Sequence, residues 1–267
     1  MKKTGFVISF FLCLITGGLR YLDYAHLTNI QTGFFVQGTL TSRLGIVTVV
    51  LLFVLVTSIG ITAPRGMLVQ RGGVVSLGLV IASAAALFCG AGGVLYNLTQ
   101  MYAVWDFVLS LLFVINGLWL LIIAFAFFGN PDYIKKMSAM LAVVAVSCYY
   151  LLTVIRFITK PSSLYRLTKL IGILSPLAAL LFLTAFVKAL YLSGNSGKSR
   201  GLYFFGLAAF LFCFCLSGAD LAAGWGLNMI ALPELFKTVA LMAVGLLGML
   251  CAFVSAESSQ VHAPHAI

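Results

Sequence analysis

The chain has 267 residues, of which 62% are hydrophobic and 8% charged. A soluble domain carries about 25% charged residues, so this polypeptide cannot clothe its outside in polar groups, and hydrocarbon is its expected solvent. The formal net charge of +10, from sixteen Lys and Arg against six acids, fits basic residues flanking membrane spans; no nucleic-acid motif accompanies it, so nucleic acid is not an expected partner.

Eight apolar runs follow one another: Gly5–Leu19, Leu44–Ala63, Val74–Leu95, Phe107–Phe128, Met137–Ile155, Leu170–Leu192, Leu202–Ala219 and Leu235–Val254. A helical span needs roughly 20 apolar residues, and only helices and closed barrels satisfy every backbone group in lipid. Barrel strands would alternate over about ten residues, and these runs do not alternate. The expected fold is therefore all-α: a polytopic transmembrane bundle of about eight spans, with residues 1–254 as a single transmembrane domain.

The first run follows Met1-Lys2-Lys3 and ends at Gly17-Gly18, which also describes a secretory signal. Leu19-Arg20-Tyr21-Leu22-Asp23 comes next and offers no small-x-small site, so a retained helix is favoured; cleavage would leave seven spans. The connection Arg20–Arg43 holds Thr32-Gly33-Phe34-Phe35 and suits a short interfacial helix or re-entrant turn. Gly72-Gly73, Gly90, Gly92-Gly93 and the pair Gly245 and Gly248 stand where small residues let helices approach. Pro176 lies inside the sixth run and is expected to kink it. Pro161 starts a short turn as its first residue. Ser255–Ile267 is polar and expected to be disordered.

With the N-terminus inside, nine basic residues fall on inner segments and seven on outer ones, a weak positive-inside bias. Arg156–Lys169 dissents, with four positive charges on an outer connection. A faint echo links Leu14–Tyr21 with Leu151–Phe157: each ends a span with Thr, Arg and an aromatic ring, as a parallel duplication would place them.

Charges at or inside spans are costly, roughly 2.5–3.5 kcal/mol each at a helix centre, and they need partners or water. Asp106 opens the fourth run, with Ser110, Phe113 and Gly117 continuing its face. Arg156 closes the fifth, on one stripe with Tyr149 and Thr153. Asp220 closes the seventh, one turn after Ser217. Glu234 and Lys237 open the eighth at a spacing that allows them to pair. In the expected topology all of these lie near the outer surface, as do Arg20, Asp23, His26, Lys160, Arg166 and Lys169.

Other chemistries fail on spacing. Gly194-Asn195-Ser196-Gly197-Lys198-Ser199 is two residues short of a phosphate loop and follows no strand. The sequon Asn97-Leu98-Thr99 requires a eukaryotic secretory host. No H-E-x-x-H or G-x-S-x-G occurs. No aspartate pair lies mid-membrane, and Lys237, at a helix end, is no retinal lysine. The six cysteines, Cys13, Cys89, Cys148, Cys213, Cys215 and Cys251, contain no C-x-x-C, so neither a metal nor a redox site is expected; they read as small buried side chains.

Arg20, Asp23 and Thr32-Gly33-Phe34 after a first span, then Pro161-Ser162-Ser163-Leu164-Tyr165-Arg166 between later spans, resemble a set of uncharacterised multi-pass membrane proteins of Gram-positive, clostridia-like bacteria. That resemblance implies a bacterial cytoplasmic-membrane location and supplies no activity.

The sequence thus suggests a small transporter or lipid- or solute-binding membrane protein. Its ligand site would be lined by Arg20, Asp106, Arg156, Arg166, Asp220, Glu234 and Lys237 at the outer helix ends. Besides the lipid bilayer, the excess of positive charge suits a small anionic solute or a lipid headgroup as partner. The alternatives are a non-catalytic partner subunit, scaffold or sensor that assembles with other membrane proteins, and interfacial residues that merely staple helix ends. No enzymatic activity, cofactor or metal is expected.

Overall fold

A computed structural model describes residues 2–22, 47, 50, 51, 53, 54, 58, 73–100, 104–129, 138–159, 167–191, 200–227 and 232–261. Among the described residues the elements are helical: α1 (Lys2–Leu22), α2 (Gly73–Gln100), α3 (Val104–Phe128), α4 (Ala139–Thr159), α5 (Leu167–Tyr191), α6 (Arg200–Ala209), a π-helical stretch (Phe210–Leu216), α7 (Ser217–Leu227) and α8 (Leu232–Val261). The α6, π and α7 segments run on without a break.

Among the described residues, six helical stretches are long and apolar enough to cross a membrane: Gly73–Thr99, Val104–Phe128, Ala139–Thr159, Ile173–Tyr191, Gly201–Gly226 and Glu234–Val254. They match the third to eighth runs. The first run yields a shorter apolar stretch, Phe10–Leu22, and most of the second run, with the connection Arg20–Arg43 beyond Leu22, lies outside the described residues. The exterior bears out lipid as the solvent. Phe88, Phe125 and Met140 are among many large apolar side chains with most of their surface uncovered, which no water-soluble exterior sustains in such number.

Two boundaries differ from expectation. The eighth helix begins with Leu232-Pro233-Glu234, where Pro233 suits a first turn that has no use for its N–H and Glu234 meets the positive end of the helix dipole. It ends at Val261, not near Val254. Ser255–Val261 is therefore helical, contrary to the disorder expected there, because nothing before Pro264 breaks the helix; residues 262–267 lie outside the described residues.

Helix contacts fix the register. Asn116 on α3 reaches the carbonyls of Ala145 and Val146 on α4, and Phe113 stacks on Tyr149 at 4.3 Å between centroids, so α3 and α4 are antiparallel. A Cβ on Gly90 would meet Val114 and one on Gly117 would meet Leu87, which sets α2 antiparallel to α3. Gly78 faces Leu247 and Leu250, while Gly92 faces Phe236; α2 and α8 are therefore antiparallel too. α8 also crosses α6 and the π stretch, with Gly248 on Gly206 and Gly245 on Phe214.

The π stretch has a local cause. Wider i→i+5 turns free carbonyls from the usual ladder, and Ser175 on α5 donates its hydroxyl to the Phe212 carbonyl at 2.7 Å. Cys213 in turn directs its thiol to the Ser175 carbonyl at 3.0 Å. Ser175 immediately precedes Pro176, which lacks an N–H. The irregular parts of two neighbouring helices thus satisfy each other inside the bundle.

Two of the six cysteines read as small buried side chains are bonded to each other. Cys13 on α1 and Cys215 on the π stretch form a disulfide with a Cα separation of 5.3 Å, inside the usual range of roughly 4.4–6.8 Å. Cys89, Cys148, Cys213 and Cys251 are free. A pairing 202 residues apart has no sequence signature, because it depends on α1 docking beside the π stretch. Alkylation of the denatured, unreduced protein should therefore label four thiols, against six after reduction. A linked peptide containing Cys13 and Cys215 should appear by mass spectrometry and vanish in Cys215→Ser. Six labelled thiols without reductant would remove the bond.

Candidate functional site

Two arginines that close helices find aspartates across the bundle. Asp106 sits in the first turn of α3 and Arg156 in the last turn of α4. The antiparallel register brings these positions together, and both helix dipoles favour the charges they carry there. Arg156 engages Asp106 through both guanidinium ends: Nη1 donates to Oδ1, and Nη2 to Oδ2 at 3.0 Å. This fork is the geometry that planar guanidinium offers a carboxylate. About a quarter of each side chain remains exposed, so the pair sits at a rim and not in the core.

The second pair joins α1 to α7. Arg20 Nε donates to Asp220 Oδ1 at 3.2 Å, with Arg20 4% exposed and Asp220 21%. One turn back on α1, Thr16 donates to the Leu12 carbonyl and Gly17 lies against the Cys215 carbonyl. Cys13 faces Cys215 and Arg20 faces Asp220, so α1 and this part of the seventh span run in the same direction.

These registers gather the charges at one end of the bundle. α2 finishes beside the start of α3, where Asn97 donates to Ser110 at 3.2 Å, one turn inside Asp106. Phe236, near the start of α8, packs on Phe88 and Gly92 of α2. Asp106, Arg156, Arg20, Asp220, Glu234 and Lys237 therefore share the end expected to face outward. Among the described residues they do not form one cluster. The pairs ride on α3 with α4 and on α1 with α7, and neither α1 nor α7 packs along α3 or α4. Glu234 is exposed, and its carbonyl accepts the Thr238 hydroxyl at 2.5 Å. Arg166 lies outside the described residues, as do Asp23, His26 and Lys160.

Sequence reasoning missed the polar groups deeper in the bundle. Asn116, at the midpoint of α3, is fully buried, as is Tyr150 on α4; Trp119 is 4% exposed. Asn116 Oδ1, Trp119 Nε1 and the Tyr150 hydroxyl have no hydrogen-bond partner among the described residues. The only warning in sequence was an Asn inside an otherwise apolar helix. No group of three or more His, Cys, Asp or Glu able to hold a metal occurs among the described residues.

Comparison with protein-family models, curated proteins and solved structures finds no match.

Proposed function

We propose that this integral membrane protein is a small transporter or solute-binding protein of the bacterial cytoplasmic membrane, and that its ligand engages the ion-paired end of the bundle. The observation that supports this reading is the forked Arg156–Asp106 pair: a guanidinium held in carboxylate-binding geometry at a partly exposed rim. A carboxylate, phosphate or lipid headgroup presents the same acceptor geometry as Asp106 and competes with it for Arg156. Asp106 then acts as an internal anion that holds the site closed until a ligand displaces it. The chain performs no chemistry on the ligand.

The test is binding of inorganic phosphate to the purified protein in nanodiscs of zwitterionic lipid, repeated with anionic lipid. Asp106→Asn removes the competing carboxylate and keeps a hydrogen-bonding side chain, so phosphate affinity should rise about tenfold, worth about 1.4 kcal/mol. Arg156→Gln should abolish binding while the protein stays folded. Loss of the phosphate signal in anionic lipid alone would identify a headgroup as the occupant. If neither variant alters binding and both only lower the melting temperature, the pair is a staple between α3 and α4 and the ligand reading fails.

A further inference from the structure

The rim pair is the outer end of a longer polar line. One turn inward lie Ser110 on α3 and Thr153 on α4. Ser110 accepts from Asn97 at 3.2 Å and donates to the Asp106 carbonyl at 2.8 Å; Thr153 donates to the Tyr149 carbonyl at 2.8 Å. The next turn holds the Phe113–Tyr149 stack. A further turn in, at mid-helix, Asn116 faces the Val146 carbonyl. Trp119 follows three residues later on the same face. Tyr150 succeeds Tyr149, with their rings 5.0 Å apart.

The inner end of this line is unusual for hydrocarbon. Asn116 Nδ2 makes two long contacts of 3.4 Å, which fixes its Oδ1 as the open acceptor. The Trp119 Nε1–H is an open donor, and the Tyr150 hydroxyl can do either. Unsatisfied groups cost several kcal/mol apiece in lipid, and buried polar residues within spans mark functional positions. None of the three is ionisable near neutral pH. An ion would arrive there without a counter-charge among these residues, whereas an uncharged donor–acceptor group finds both its complements.

We infer that Asn116, Trp119 and Tyr150 form a mid-membrane station for a small uncharged hydrogen-bonding solute, reached along the α3–α4 seam from the Arg156–Asp106 rim. This deepens the proposed function and rests on the chain handling solutes; it narrows what passes the rim to uncharged groups, leaving anions at Arg156.

Trp119 is the reporter. Trp105 and Trp225 are the other two tryptophans and are largely exposed, so Trp105→Phe with Trp225→Phe leaves Trp119 as the sole indole. In zwitterionic proteoliposomes, acetamide or glycerol should shift Trp119 emission saturably to longer wavelength, and sodium acetate should not. Tyr150→Phe removes one hydroxyl without changing shape and should raise the half-saturating concentration about tenfold; Asn116→Leu should abolish the shift. An emission that ignores both neutral solutes, or responds only to exchange of water for D2O, overturns the station, the latter marking a structural water. A shift equal in Tyr150→Phe and the parent overturns it too. Phosphate binding measured on the same preparation separates the two ideas: its presence without a Trp119 response leaves the rim site standing alone.

Discussion

Asp220→Ala should destabilise the folded protein by about 3 kcal/mol, near the lower bound for removing one partner of a buried ion pair. The asymmetry of burial is the reason. Arg20 is 4% exposed and Asp220 21%, so the substitution takes a carboxylate partner from a guanidinium that water scarcely reaches. Replacing both residues by apolar ones, Arg20→Met with Asp220→Leu, should recover most of that loss, because the buried charge goes with its partner. The disulfide modulates the result. Cys13–Cys215 holds α1 two turns from the ion pair, so in the oxidised protein α1 stays beside α7 even when the charges no longer attract. Asp220→Ala should therefore cost more in a Cys13→Ser background than in the parent. A double-mutant cycle on thermal unfolding in detergent reads the difference, expected at about 1 kcal/mol for neighbouring, coupled sites. Equal melting temperatures for Asp220→Ala and the parent, oxidised and reduced, would show that the pair holds nothing.

What sequence made legible here follows from which constraints are local. Hydrophobic length is local, and six of the eight apolar runs reappear as helices able to cross a membrane. Helix-end charges are also local, which is why Asp106, Arg156, Arg20 and Asp220 could be singled out as interfacial groups needing partners. The partners themselves were not legible. Arg156 meets Asp106 only because α3 and α4 pack in antiparallel register, and Arg20 meets Asp220 across 200 residues of chain. A site lined by these residues at the outer helix ends was expected; among the described residues two ion pairs ride on separate helix pairs. The disulfide escaped for the same reason. The π stretch within FLFCFCL leaves no pattern in an apolar run, since lipid asks only that the residues be hydrophobic and not how they turn. Asn116 was visible as a letter but could not be ranked, because an Asn on a span is harmless or decisive according to what faces its amide.

The packing of α8 shows how much of the fold turns on backbone contact that hydropathy does not see. Gly206 and Gly248 face each other so closely that a Cβ on Gly248 would stand 2.7 Å from the Gly206 carbonyl oxygen, and one on Gly206 would stand 2.6 Å from that of Gly248. Real Cβ atoms do not approach backbone oxygen so nearly, and neither carbonyl can swing aside without breaking its own helix. Three residues back, Gly245 presents the same face to the Phe214 nitrogen at 2.7 Å, so α8 is seated on both α6 and the π stretch by a pair of glycines. Gly248→Leu should separate the helices and lose folded, monodisperse protein at temperatures the parent survives. Gly248→Ala should cost about 1–3 kcal/mol, the usual penalty of overpacking. Gly18 is the internal control. Among the described residues no atom lies within 4 Å of its Cβ direction, so Gly18→Ala should be neutral or stabilise by roughly 0.5–1 kcal/mol through helix propensity alone. If Gly248→Ala and Gly18→Ala melt together, α8 does not rest on this contact. If they part as expected, the seam that positions the π stretch, and with it Cys215 against Cys13 and Asp220 against Arg20, is set by the absence of two side chains.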